Sequence, residues 1–261
     1  MSNPNSISHA NTCFHLCILQ FCFEGSACLQ SLLIRSSNST HCGPRGVLNV
    51  SSGSSAYIYD SVVEEGGLKA GVLVRGNGSK LKALNTSLRS SEEVGLVVDH
   101  VAQAVLKSCR SDGGGCQIQW VVKGKESSLT AHDCSARSSG FDNAVFSHGA
   151  TARLVRCSLD NSQGHGLWAC SSGTIVAADA TSFSGSKRSN VFAHSGAAVK
   201  LSGCRMNKGK SFGMTARGQG TTIIADATCE VKGNGQGEFC EREGGRVVWP
   251  RAPSGSCCCV S

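Results

Sequence analysis

The chain has 261 residues and a mass of 27.1 kDa, enough for one large domain or two small ones with a sizeable core. Hydrophobic residues make up 40% and charged residues only 16%, which excludes a disordered polyampholyte and a charge-laced coiled coil. With 32 glycines and 5% aromatics an ordinary helical bundle is disfavoured. No run of eighteen apolar residues suggests a membrane-spanning helix, and a dispersed net charge of +7 is no nucleic-acid footprint.

Taken in chain order, residues 13–34 form the most apolar stretch and are expected to make a helix that plugs one end of the fold. A secretory signal cleaved at Gly25-Ser26-Ala27 is the alternative. It is disfavoured because no Lys or Arg precedes the stretch and His15, Gln20 and Glu24 interrupt it. A Ser/Asn-rich linker follows over residues 35–41.

Beyond it a small polar residue recurs as Ser61, Thr86, Cys109, Cys134, Cys157, Thr181, Cys204 and Thr228, at gaps of 25, 23, 25, 23, 24, 23 and 24. That period lies in the solenoid range. Three residues before each anchor stand Ile58, Ala83, Leu106, Ala131, Leu154, Ala178, Leu201 and Ala225. Five before stand Ala56, Leu81, Ala104, Leu129, Ala152, Val176, Val199 and Ile223. Side chains alternate along a strand, so both columns share one inward face. A large residue in one column is mostly matched by a small one in the other, as constant layer volume in a stacked core requires.

A second strand opens each unit's other half at Gly71, Gly95, Gln119, Asn143, Gly166, Asn190 or Gly213. Gly and Asn tolerate positive φ, which suits a corner entering that strand. The last pairing segment is expected at residues 247–249, before Pro250 stops it. Short strands and corners at a constant period, with no helical stripe between them, read as a parallel β-helix.

In these units, for example Ala197-Ala198-Val199-Lys200-Leu201-Ser202-Gly203-Cys204, the chain resembles the right-handed parallel β-helix proteins of the pectin-lyase-like superfamily over roughly residues 46–240. The expected fold is therefore all-β, a right-handed parallel β-helix (solenoid) of about eight coils with an N-terminal helical cap. Residues 1–42 would be tail and cap, 43–249 the β-helix domain and 250–261 a Cys-rich tail.

The resemblance implies architecture more than activity, because this fold carries lyases, glycosidases and binding modules alike. Polygalacturonase-like enzymes of this fold carry Asn-Thr-Asp, Asp-Asp, Gly-His-Gly and Arg-Ile-Lys. Here Gly164-His165-Gly166 matches by letters, Asn85-Thr86-Ser87 lacks the acid, and the other two are missing. Asp179 and Asp226 fall in one outward column roughly 9.6 Å apart, with no acid–base constellation beside them. No catalytic residue, cofactor or metal site is expected, since Cys13 and Cys17 lack a matching second pair.

The sixteen cysteines read as small core residues, because Cys109, Cys134, Cys157 and Cys204 stand where Ser and Thr also occur. Unbridged thiols favour an intracellular location, with secretion as the alternative that the sequon at Asn38 would suit. A polar column after the second strand comprises Arg75, Asp99, Lys123, Ser147, Cys170, His194 and Arg217, with His100 and His148 one residue further on. It reads either as a solvated corner or as a ribbon facing an anionic polymer. Trp168 and Phe192 point outward from neighbouring coils and form the best binding patch, for a sugar ring or a protein partner.

The final residues Cys258-Cys259-Val260-Ser261 resemble a prenylation box with Cys258 as acceptor, which would give peripheral membrane association. An unmodified tail is the plainer reading. The expected function is a non-catalytic binding scaffold for a protein partner or an extended polymer, without nucleic acid. The alternative is a carbohydrate-binding module or a divergent polysaccharide lyase or glycoside hydrolase.

Overall fold

The computed structural model describes residues 15–17, 21–22, 26–30, 33–35, 47–64, 70–89, 93–112 and 116–250. These form a parallel β-solenoid of about eight coils, built as three parallel sheets of ten strands each. Sheet I takes mostly five-residue strands, among them Ser55–Tyr59, Lys80–Leu84, Gln103–Lys107 and Ser128–His132. Sheet II takes three-residue strands such as Val62–Glu64 and Ser87–Arg89, and sheet III longer ones such as Ala70–Arg75 and Val94–Asp99.

The two inward columns of sheet I are buried throughout, and the register pairs each residue with its own column in the next coil. Leu129 lies between Ala104 and Ala152, and Ala131 lies between Leu106 and Leu154. Large and small residues thus alternate both along a strand and between coils, so bulk in one layer fills the space left by its neighbour. Sheet III adds Leu96, Val98, Trp120, Val122, Ala144 and Phe146, all fully buried.

The anchor column marks the corner from sheet I to sheet II. The residue before the anchor has positive φ in successive coils, at Asp60, Asn85, Ser108, Asp133, Arg156, Ala180 and Gly203. That bend turns the carbonyl two residues before the anchor toward the anchor side chain. Ser61 Oγ donates to Tyr59 O at 2.6 Å, Thr86 Oγ1 to Leu84 O at 3.0 Å, and Cys134 Sγ to His132 O at 3.1 Å. A small side chain with a donor on its γ atom is what the site needs, so Ser, Thr and Cys interchange there.

Four expectations are corrected. The eighth anchor is Cys229, not Thr228: Arg205 pairs with Glu230, so Cys204 stacks on buried Cys229 while Thr228 is exposed. One extra residue lies between Ala225 and this anchor, and Asp226 holds the widened turn by accepting from the Thr228 N–H at 2.9 Å. Each coil has three strands rather than two. Sheet II leaves no period in the sequence because its three-residue strands send only one residue inward, such as Val63, Leu88 or Leu159.

The residues that open the sheet III strands do not have positive φ. Gly95 and Gly166 serve close approach instead, since a Cβ there would stand 2.7 Å from the carbonyl of Gln119 and of Asn190 in the following coil. Gln119, Asn143 and Asn190 occupy equivalent places with buried amides that donate to Arg137 O, Asp160 O and Asn207 O at 2.9–3.0 Å, stitching each coil to the next.

Finally, the segment expected as a helical cap has no helix among its described residues. It carries the strands His15–Cys17, Phe21–Cys22, Ser26–Gln30 and Leu33–Arg35. Ala27 and Leu29 pair in register with Ala56 and Ile58, so the period-two pattern of sheet I extends into this stretch and overrides its overall apolarity.

Thr181 Oγ1 donates to Asp179 O at 3.0 Å and accepts from Cys157 N–H at 3.3 Å. Thr181→Val keeps the shape but leaves the buried Cys157 N–H without its acceptor, while Asp179 O still accepts from the Arg156 N–H at 2.9 Å, and should cost about 1–3 kcal/mol. Thr181→Ser should cost about 1 kcal/mol or less, as urea unfolding would measure.

Candidate functional site

Leu167 and Ala169 are fully buried, so Trp168 between them projects outward from sheet III. Phe192 pairs with Trp168 in the next coil, and His194 pairs with Cys170 and Arg217. His165 lies just ahead of the Trp168 strand, and Arg188 on the turn before the Phe192 strand. Together these six side chains line a cleft of about 460 Å³, which continues past Thr215 and Cys240 into one of about 270 Å³.

The rings form one cluster. His165 stacks on Phe192 with centroids 4.6 Å apart and planes 12° from parallel. Trp168 is 6.5 Å from Phe192 and 5.7 Å from His194, and Phe192 is 5.3 Å from His194. Trp168 Nε1 is shielded from solvent with no hydrogen-bond partner among the described residues. Trp120 in the core and Trp249 share this feature, so it does not by itself mark the cleft.

Both imidazoles are held neutral. Burial pushes His165 down to about 4, and the charge of Arg188 adds to this. Its Nδ1 stands 3.2 Å from the Ser189 carbonyl, which can only accept, so Nδ1 carries the proton. His194 is likewise lowered, first by burial and then by Arg217. Arg217 is paired with Glu243 at 2.7 Å, and Arg188 is exposed at the cleft wall. The site therefore offers ring faces and guanidinium groups, and its one lining carboxylate, Glu243, is already ion-paired.

Of the residues expected to bind, the fold gathers Trp168, Phe192, His194 and Arg217. Arg75 and Asp99 share the Arg217 column but lie coils away. There Asp99 is buried, accepts from the His100 N–H at 2.7 Å and meets Lys123 at 3.5 Å, while Arg75 lies 3.3 Å from His100. This half of the polar column is tied up within itself. His148 sits on a turn, 2.9 Å from Ser147 Oγ, outside the cleft. Cys258 lies outside the described residues.

His165 and Arg188 were not among the expected site residues. The Gly164-His165-Gly166 triplet was the only signal for His165, and nothing in the sequence singles out Arg188. Asp226, one of the two outward carboxylates, is held well below the usual carboxylate range by Thr228 and Ser202. It is spent on its turn.

A larger groove of about 740 Å³ runs along the anchor corner, but no ring lines it and two of its three arginines are ion-paired, Arg156 with Asp133 at 2.7 Å and Arg137 with Asp160 at 3.6 Å. Among the described residues no group of three or more His, Cys, Asp or Glu is arranged to hold a metal ion, and no helix is long and apolar enough to cross a membrane. No protein-family model matches the chain, and no curated protein matches it.

His165 makes stability pH-dependent. Its ordinary value of 6.5 falls to about 4 in the fold, so the unfolded chain takes up the proton first as pH drops. Stability is therefore lost between about pH 6.5 and about pH 4, by roughly 3 kcal/mol from this group. Buried Asp142 is raised by desolvation and acts in the opposite sense, gaining stability as pH falls. His165→Phe keeps the stack on Phe192 and should flatten the acid limb of unfolding free energy against pH.

Proposed function

We propose that the protein is a non-catalytic β-helical binding scaffold that receives a protein partner, or an extended polymer, across the lateral face of sheet III. The observation that carries this reading is the Trp168–Phe192–His165–His194 ring cluster, which lines an open cleft between Arg188 and Arg217. Clustered aromatics flanked by arginine are the composition that dominates binding energy at protein interfaces.

A carbohydrate-binding module, or a divergent lyase or hydrolase of an acidic glycan, is the second reading. It is favoured by the half-buried Trp168 and Phe192 rings at the cleft and the adjacent guanidinium groups. Right-handed coils of the pectin-lyase-like kind fit the repeat columns and the strong preference for right-handed parallel crossovers. An intracellular location is supported by the stacked, unbridged thiols Cys109, Cys134 and Cys157.

A glycan array and chemical cross-linking in cells, each run with Trp168→Ala and with Val121→Ala, test the proposal. Val121 lies on the same sheet face, half-buried, in a coil nearer the N-terminus. Trp168→Ala should cost at least about 2 kcal/mol of binding and Val121→Ala little. Saturable glycan binding lost with Trp168 would select the carbohydrate reading. A cross-linked partner lost with Trp168 and a blank array would select the protein scaffold. Binding indifferent to Trp168 would reject the cleft as the site.

A further inference from the structure

The three sheets differ in what they show to solvent. Within its strands sheet I carries Lys80, Lys82, Lys107, Arg153, Lys200 and Arg246 against the single carboxylate Asp179. The strands of sheet II hold six cations against four carboxylates, and those of sheet III four against three. All six cations of sheet I are exposed, and none forms an ion pair with another described residue. The acids at the bordering corner are occupied: Asp60 accepts from Asn85 at 2.8 Å, and Asp133 is paired with Arg156.

The same face holds five of the six large hydrophobic side chains exposed among the described residues. Tyr57, Val105, Ile175, Ile224 and Val248 are 38–48% exposed, and only Phe141 lies elsewhere. They are spread along the whole sheet, interleaved with the cations. Strands of five residues span about 17 Å, and the steps from Tyr57 to Val248 span roughly 38 Å, so the face is long and made of regular, in-register strands.

We propose that the outer face of sheet I docks on the surface of an anionic lipid bilayer. Unpaired cations in a plane match a planar negative charge, each worth about a fivefold gain in partitioning near such a surface. The aliphatic side chains distinguish a bilayer from a soluble polyanion. Val105, Ile175, Ile224 and Val248 gain nothing against a hydrated polymer, whereas the headgroup–acyl boundary takes up apolar side chains beside cations. The face is independent of the Trp168 cleft, which lies on sheet III, and needs no lipid on Cys258.

The test is co-sedimentation of the unlipidated full chain with vesicles of phosphatidylcholine alone or with added phosphatidylserine, at low and high salt. Binding should require phosphatidylserine and weaken with salt. Lys80→Glu/Lys82→Glu/Lys200→Glu should reduce it at least about 100-fold. Arg89→Glu/Arg110→Glu/Lys187→Glu makes the same change in net charge away from sheet I and should leave most of the binding. Val105→Ser/Ile175→Ser/Ile224→Ser should lose about tenfold while remaining salt-sensitive.

Far-UV circular dichroism and melting would verify that each variant is folded. Failure of the wild type to bind phosphatidylserine vesicles, or equal losses in the two charge-reversed variants, would overturn the proposal. So would binding to soluble heparin that competes fully with vesicles and is unaffected by the serine substitutions.

Discussion

In-register stacking of parallel coils is the constraint on which the rest of this structure depends. Each residue sits over its own counterpart roughly 4.8 Å along the axis, so every column must be compatible with itself coil after coil. For apolar positions this means filling shared space, and the alternation of Leu81, Ala104, Leu129 and Ala152 against Ala83, Leu106, Ala131 and Leu154 does so in two directions. For polar positions it means that a buried donor finds its acceptor either in its own corner or in the next coil. The anchor hydroxyls and thiols illustrate the first case and the Asn143 and Asn190 amides the second. Hydroxyls at the other turn do both: Ser79 Oγ donates to Arg75 O at 2.9 Å and accepts from Gly53 N–H of the preceding coil at 3.1 Å.

The same constraint shapes the surface. Outward residues also stand in columns, so a substitution places charge or bulk beside fixed neighbours. On sheet III this brings Trp168, Phe192 and the imidazoles of His165 and His194 within stacking distance. Near the other end it lets Asp99 collect His100 and Lys123 into a closed cluster. On sheet I it leaves six exposed cations along a regular plane, with Asp179 the single carboxylate in its described strands. Three faces of one rod therefore have different chemistry although one repeat generates all of them.

Legibility in the sequence followed the number of inward residues per strand. Sheet I sends two per strand at fixed offsets from the anchor, and both columns could be read directly. Sheet III announces itself through pairs such as Val72 with Val74 and Leu96 with Val98. Sheet II sends one, and a single residue has no period. Corner glycines were misread for a related reason: the letter Gly is the same for positive φ and for close approach, and only the carbonyl of the next coil distinguishes them. Thr228 for Cys229 was a one-residue slip between adjacent candidates of equal chemical merit. The cleft was half legible: Trp168 and Phe192 follow from outward alternation, whereas His165 and Arg188 come from turns, where alternation gives no direction.

Two explanations of the core can be separated directly. If only the total volume of each layer mattered, exchanging the side chains of Leu129 and Ala131 within one coil would be harmless. Register-locked packing forbids it. The shortened side chain at position 129 would face Ala104 and Ala152 across a void, while the enlarged one at position 131 would be forced between Leu106 and Leu154. The decisive measurement is the unfolding free energy of Leu129→Ala/Ala131→Leu beside that of Leu129→Ala alone. Register-locked packing predicts a single-mutant loss of about 2–5 kcal/mol and a double mutant that is no better or worse. Recovery of wild-type stability in the double mutant would contradict it.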